Sequence, residues 1–490
     1  MKRKHNCLCC RPAGRREFLR DSSLGLAGTS LVPWTALAAQ DSSGAVPPIQ
    51  PAGPAAGCVP LVKAAFVRRK EEYGILWPGA IYDGEAARRM YTEKARAAAQ
   101  SMNIRLDLRE EPLYRLEEAE AWVRQAKAEA VDGLLVLLLD RQQHAWPSAR
   151  LAAESGLPAV IYSPLGTSFT TNTGPLAGLP RCVIYSTNDF RQAAYGLKMM
   201  KASARMRRSR AVVIAGDRRE SSVLADTGIS LQHIPVTRFL EMYQQMPVTA
   251  AVTAMAEEYL SKARARKGAT REDVLQGIKS YLVAGRILQE EKADAITMDC
   301  LGALGKTRVS LPCIAWSRMN DVGIPAACEA DLGALATHII VQYLFDRPGF
   351  QQDPVADTSD DTLIGAHCSS PTCLHGFGTA PEPFDLVHHH GDRDAVPRTI
   401  WKVGQRITCL VVQPDRKGGR PSTLLISTGS VVENMDAPPS GGCVVSVKVK
   451  MDGQQRVLDF PGFHQLFFYG DYRRELVDFC RLNNFTPQVV

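Results

Sequence analysis

The chain has 490 residues, 45% hydrophobic and 22% charged, ordinary values for a globular protein but too long for one ordinary core, so two or three domains are expected. Its formal charge of +7 is unevenly placed: residues 1–39 hold seven cations and two anions, a net of +5, which leaves +2 for the remainder. A nearly neutral remainder gives no electrostatic case for nucleic acid.

Residues 1–39 read as a twin-arginine signal peptide. Gly14-Arg15-Arg16-Glu17-Phe18-Leu19-Arg20 forms the paired-arginine box, Ser22 to Leu37 a weakly apolar stretch, and Ala36-Leu37-Ala38 a cleavage site. The expected localisation is periplasmic or secreted, with the twin-arginine translocase as export partner. No stretch reaches the roughly 20 apolar residues a membrane span needs. Three of the 13 cysteines lie in this leader. The other ten are scattered through a chain large enough to bury a core without disulfides, so free, buried thiols are expected; Cys368 and Cys373 are the pair to check.

Residues 40–60, rich in Pro, Gly, Ala and Ser, read as a linker. From Leu61 short apolar runs alternate with helical periodicity: Val62 to Val67, then Gly84 to Met102, Ile104 to Leu108, Leu116 to Ala130, and the continuous apolar run from Gly133 to Leu139. This predicts a doubly wound parallel sheet over 61–170. A second α/β unit is expected over 171–350, with strands at Arg210 to Gly216 and Ala293 to Met298 and an amphipathic helix at Asp331 to Phe345. Beyond residue 351 short β-type runs separated by turn chemistry predict a β-rich, barrel-like C-terminal domain.

Walker, Gly-x-Gly-x-x-Gly, Gly-x-Ser-x-Gly and His-Glu-x-x-His patterns are absent. The informative stretches are Cys328-Glu329-Ala330-Asp331, Asp353-Pro354, Ala366-His367-Cys368, and Phe463-His464 ahead of Tyr469-Gly470-Asp471. Alone, Glu329 reads as a carboxylate at a helix start, Asp353 as a turn former and His464 as a structural histidine. The spacing of His367, Cys368, Cys373 and His375 fits no standard zinc pattern. Cys313 and Cys328 read as small buried side chains. Taken together, in this order, these motifs resemble the L-fucose isomerase and L-arabinose isomerase superfamily, across most of the chain in layout and specifically at 311–375 and 461–471.

That resemblance implies a Mn²⁺-dependent (or other divalent-cation) aldose–ketose isomerase acting on a small sugar through an enediol. Glu329 and Asp353 would be catalytic acid/base residues and metal ligands, His464 a ligand, and His367 a further ligand. It also implies a homo-oligomer. Trp77 and Tyr82, after the first strand, and His389 and His390, in an expected solvated loop, are candidate substrate contacts. The segment after Asp353 departs from the family pattern, and Asp357, Asp360 and Asp361 compete with it for the second carboxylate. Export is unusual for such an enzyme. The alternatives are an exported carbohydrate-binding protein on the same scaffold without turnover, and an epimerase working through a similar intermediate.

Overall fold

The computed structural model describes residues 48–71, 75–76, 80–81, 83–140, 142–390, 393–415, 420–436, 442–453 and 456–490. The leader reading, and the start of the linker reading, lie outside these residues.

Continuous apolar runs become strands covered on both faces. In the first sheet, β1 (Leu61–Val67) is followed by the short pair β2 (Ile75–Leu76) and β3 (Ala80–Ile81), then α1 (Gly84–Ser101), β4 (Arg105–Leu108) and α2 (Leu116–Ala128). Next come β5 (Gly133–Leu138), α3 (Gln142–Ala153), β6 (Ala159–Ser163), α4 (Thr170–Ala177) and β7 (Cys182–Ser186). The order β4-β1-β5-β6-β7 is parallel throughout. Alternation along β1 sends Val62, Ala64 and Phe66 toward α1, and Ala65 and Val67 toward α2 and α3, so the sheet is doubly wound. It runs past the expected limit at 170, because β7 adds a fifth strand.

The second unit begins with α5 (Arg191–Arg208), β8 (Arg210–Ile214), β9 (Glu220–Leu224), β10 (Ile229–Ile234), α6 (Val236–Gln245) and α7 (Ala250–Lys262). It continues with β11 (Ala265–Lys267), α8 (Arg271–Glu290), β12 (Ala295–Met298), α9 (Cys300–Leu304), α10 (Cys313–Asp321), β13 (Ala326–Cys328) and α11 (Leu332–Phe345). Its sheet, β13-β12-β8-β10-β9, is parallel except for the antiparallel edge strand β9. The helix α11 is buried at every residue from Ala334 to Phe345, so it is buried all round rather than on one amphipathic face, with Thr337, His338 and Gln342 enclosed among apolar neighbours. It lies between the second sheet, α5 and the strands that follow, which leaves it no solvent face.

Those strands are β14 (Phe350–Asp357), β15 (Thr362–His367), β16 (Phe384–His390), β17 (Arg393–Thr399), β18 (Arg406–Gln413), β19 (Thr423–Asn434), β20 (Val445–Met451) and β21 (Gln465–Tyr469), followed by α12 (Arg473–Asn483) and β22 (Thr486–Val489). The order β18-β21-β14-β15-β20-β19 closes through a β18–β19 pairing into a six-stranded barrel, with β22 added outside on β19. A small sheet, β11-β16-β17, ties the helical unit to this region. The expected architecture, two doubly wound α/β domains and a β-rich C-terminal barrel, is what the chain adopts.

The linker reading fails for its second half. Ala52 N–H donates to Ala293 O (2.9 Å), and the Ala55 and Ala56 amides donate to Asp294 at 3.2 and 3.0 Å. Small residues here permit close packing rather than freedom: a Cβ on Gly53 would meet Asp294 Oδ2 at 2.1 Å. Among the described residues no helix is long and apolar enough to cross a membrane.

Candidate metal centre

The parallel strand β13 ends at Cys328, and the chain must turn sharply to enter α11. Glu329 and Ala330 make that turn with φ of 62° and 52°, the left-handed region that non-glycine residues rarely occupy. His464, at the entrance to β21, is held at φ 50°. Three such residues at one place cost roughly 1 kcal/mol or more each, and such strain collects where side chains must be aimed.

Register brings the second carboxylate in. The β14–β21 pairing sets Gln352 opposite Gln465, so Asp353 and His464 meet just beyond it, while Asp353 pairs with Ala366 of β15, next to His367. Asp353 therefore stands in a strand, and the alternative reading of it as a turn former does not hold. His464 Nε2 lies 3.1 Å from Asp353 Oδ1 and 3.4 Å from Glu329 Oε2, and His367 Nε2 lies 3.8 Å from Glu329 Oε1. Glu329, His367 and His464 offer ligand atoms within 4.8 Å of one another. The site occupies the carboxyl end of the second sheet, where open α/β folds place ligands, against the edge of the barrel.

Asp331 completes the arrangement, and sequence reasoning gave it no role. One carboxylate oxygen accepts the Ala334 amide at 2.8 Å and caps α11; the other accepts His464 Nδ1–H at 2.9 Å. That bond orients the imidazole with Nε2 facing Glu329 and Asp353, where it carries a proton that a bound cation would displace, the carboxylate–histidine arrangement common behind metal ligands. The signal was the N-cap pattern of an Asp just ahead of an apolar helix.

The electrostatics favour a cation. Burial opposes charge on His464, but Asp331, Asp353 and Glu329 outweigh it and push its pKa up to about 11. Burial likewise opposes charge on His367, and the adjacent Cys368 with Asp353 and Glu329 raises it to about 9. Burial also works against the Asp331 charge, yet the His464 hydrogen bond and the capping amide hold it below the usual carboxylate range. Three carboxylates around one imidazole, with Asp353 Oδ1, His464 Nε2 and His367 Nε2 buried and without a well-formed hydrogen bond, suit a divalent ion in their midst. The donor set of carboxylate oxygen and imidazole nitrogen fits Mn²⁺. The side chains of Glu329 and Asp353 are 33% and 28% exposed, so a small molecule can reach them.

The competing aspartates are used elsewhere: Asp357 and Asp360 pair with Lys448 at 2.7 and 2.8 Å, and Asp361 accepts the Val457 amide. Trp77 and Tyr82 lie outside the described residues. His389 is not in a solvated loop but on β16, 1% exposed, grouped with Cys313 and Cys368; the His390 side chain lies outside the described residues. Cys368 and Cys373 are both free. Phe463, 60% exposed, places its ring 4.4 Å from that of His464 and was not anticipated.

No family model and no curated protein matches the chain. Among solved structures it is similar to an ABC-transporter solute-binding protein from Burkholderia multivorans, at 12% identity and a TM-score of 0.18 over 49% of this chain and 80% of that one.

Proposed function

We propose that this chain is an exported, metal-dependent aldose–ketose isomerase-like protein acting on a small sugar, with the oligomeric assembly such sites commonly use. The observation that supports it is the convergence of Glu329, Asp353 and His464, with Asp331 orienting His464 so that Nε2 faces the two carboxylates. Glu329, Asp353, His464 and His367 would hold Mn²⁺, which when bound supplies Lewis-acid polarisation of two neighbouring sugar oxygens. The chain's own groups do the proton work. One of the two part-exposed carboxylates takes the C2 proton, and the other handles the hydroxyl proton as the carbonyl moves between C1 and C2. Phe463 offers an apolar face for the C–H side of the sugar. The test is incubation of aldopentoses and aldohexoses with Mn²⁺-loaded protein in D₂O. Ketose carrying deuterium at C1 supports the reading; sugar binding that ignores chelator, without interconversion, assigns a binding protein instead.

A further inference from the structure

Beneath the carboxylate site lies a second group of donors of different chemistry. Cys313 opens α10, Cys328 ends β13, Cys368 follows β15 and His389 lies on β16; these side chains are 6% exposed or less. The ligand atoms of Cys313, Cys368 and His389 fall within 4.8 Å of one another, as do those of Cys328, His367 and Cys368, so Cys368 belongs to both trios. All of these thiols are free. A spacing of this order suits sulfur and nitrogen atoms sharing one tetrahedral ion at about 2.3 and 2.0 Å.

The frame around the thiols is fixed. The Ser369 hydroxyl donates to Cys313 O at 2.8 Å and the Ser317 hydroxyl to Ser370 O at 2.7 Å. Asp321, at the far end of α10, accepts from the Thr372 amide and hydroxyl and the Cys373 amide, each at 2.7 Å. The Cys328 amide donates to Gln351 Oε1 at 2.9 Å. The segment bearing Cys368 is thus pinned to the helix bearing Cys313, and the strand bearing Cys328 to β14. Such support holds ligands in place before an ion arrives.

We propose that Cys313, Cys368 and His389 hold a structural Zn²⁺, separate from the carboxylate centre, with Cys328, whose sulfur is within 4.8 Å of that of Cys368, as the nearest further donor. Thiolates select Zn²⁺ over Mn²⁺, whereas Glu329 and Asp353 prefer the harder ion, so the two sites sort their metals by donor type. His367 stands between the two groups, with Nδ1 3.4 Å from Cys368 Sγ and Nε2 3.8 Å from Glu329 Oε1. The proposal does not depend on the isomerase reading.

The experiment loads full-length chelator-stripped protein with Zn²⁺ or Co²⁺ alone and measures bound metal in wild type, Cys368→Ser, Cys313→Ser and Glu329→Gln. The expected result is one tightly held Zn²⁺ per chain in wild type and Glu329→Gln, weakened more than about tenfold in both cysteine variants. Co²⁺ should show thiolate charge-transfer and tetrahedral visible bands. X-ray absorption on the wild-type zinc form covers the case in which the variants misfold: sulfur neighbours at about 2.3 Å are expected. Failure to bind Zn²⁺, a shell of only nitrogen and oxygen, or full zinc retention in folded Cys368→Ser overturns the proposal. Loss of Mn²⁺ in Glu329→Gln with zinc retained bears on the carboxylate centre alone.

Discussion

Replacing Asp331 by Asn separates two jobs done by one side chain. Asn caps helices as well as Asp does, and its Oδ1 can still accept the Ala334 amide, so the cap itself should survive. The other oxygen, 2.9 Å from His464 Nδ1, becomes an NH₂ group. Two donors then face each other. To bind a metal through Nε2 the imidazole would have to keep its proton on Nδ1 against this second donor, so the metal-binding tautomer is disfavoured. Loss of such a partner costs about 10- to 100-fold in metal affinity, or about 1.4–2.7 kcal/mol. Calorimetric titration with Mn²⁺ gives the affinity, and urea unfolding of the metal-free protein gives the stability. An unchanged Mn²⁺ affinity would refute the reasoning, because Asp331 would then be a helix cap and nothing more.

Other perturbations separate the remaining parts. Phe463→Ala should raise KM for a substrate sugar about tenfold with little change in kcat, since covering roughly 50 Å² of ring is worth about 1.3 kcal/mol; a loss confined to kcat would contradict a stacking role. His338, buried with both ring nitrogens unpartnered, has its pKa lowered to about 3 by burial and by the charge on His367. Because the folded value lies below the unfolded one, its neutral form favours folding above about pH 6.5, and that contribution falls by about 1.4 kcal/mol per pH unit toward pH 3. His338→Leu should flatten the pH dependence of unfolding free energy by that slope between pH 6 and 4, and parallel curves would disprove it. Gly53→Ala should destabilise by about 1–3 kcal/mol in urea melts, because its Cβ would press on an Asp294 carboxylate that accepts the Ala55, Ala56 and Arg210 amides. A neutral result would show that 51–57 is only loosely held.

Much of the frame was legible because it depends on local pattern. The run from Gly133 to Leu138 reads as a strand covered on both sides, and the structure buries all six residues. Glu329, Asp353, His367 and His464 were singled out by order and type, and the fold brings them together. Their meeting depends on the β14–β21 register and on a left-handed turn at Glu329, which no periodicity reveals. The His388–His390 run reads as polar, yet β16 carries it between β11 and β17, where His388 pairs with Asp273 at 3.2 Å and His389 is buried. Tertiary pairing overrode composition there. The thiol-rich trios stayed hidden for a similar reason: Cys313 opens α10, Cys328 ends β13, Cys368 follows β15 and His389 lies on β16, with no shared sequence spacing.

The most direct measurement is manganese content by mass spectrometry on purified protein reconstituted with Mn²⁺, compared among wild type, Glu329→Gln and His464→Ala. A shared site predicts one Mn²⁺ per chain in wild type and its loss in both variants while each remains folded. Wild-type protein that takes up no Mn²⁺, or variants that keep it, would contradict the convergence of Glu329, Asp353 and His464 on a single ion.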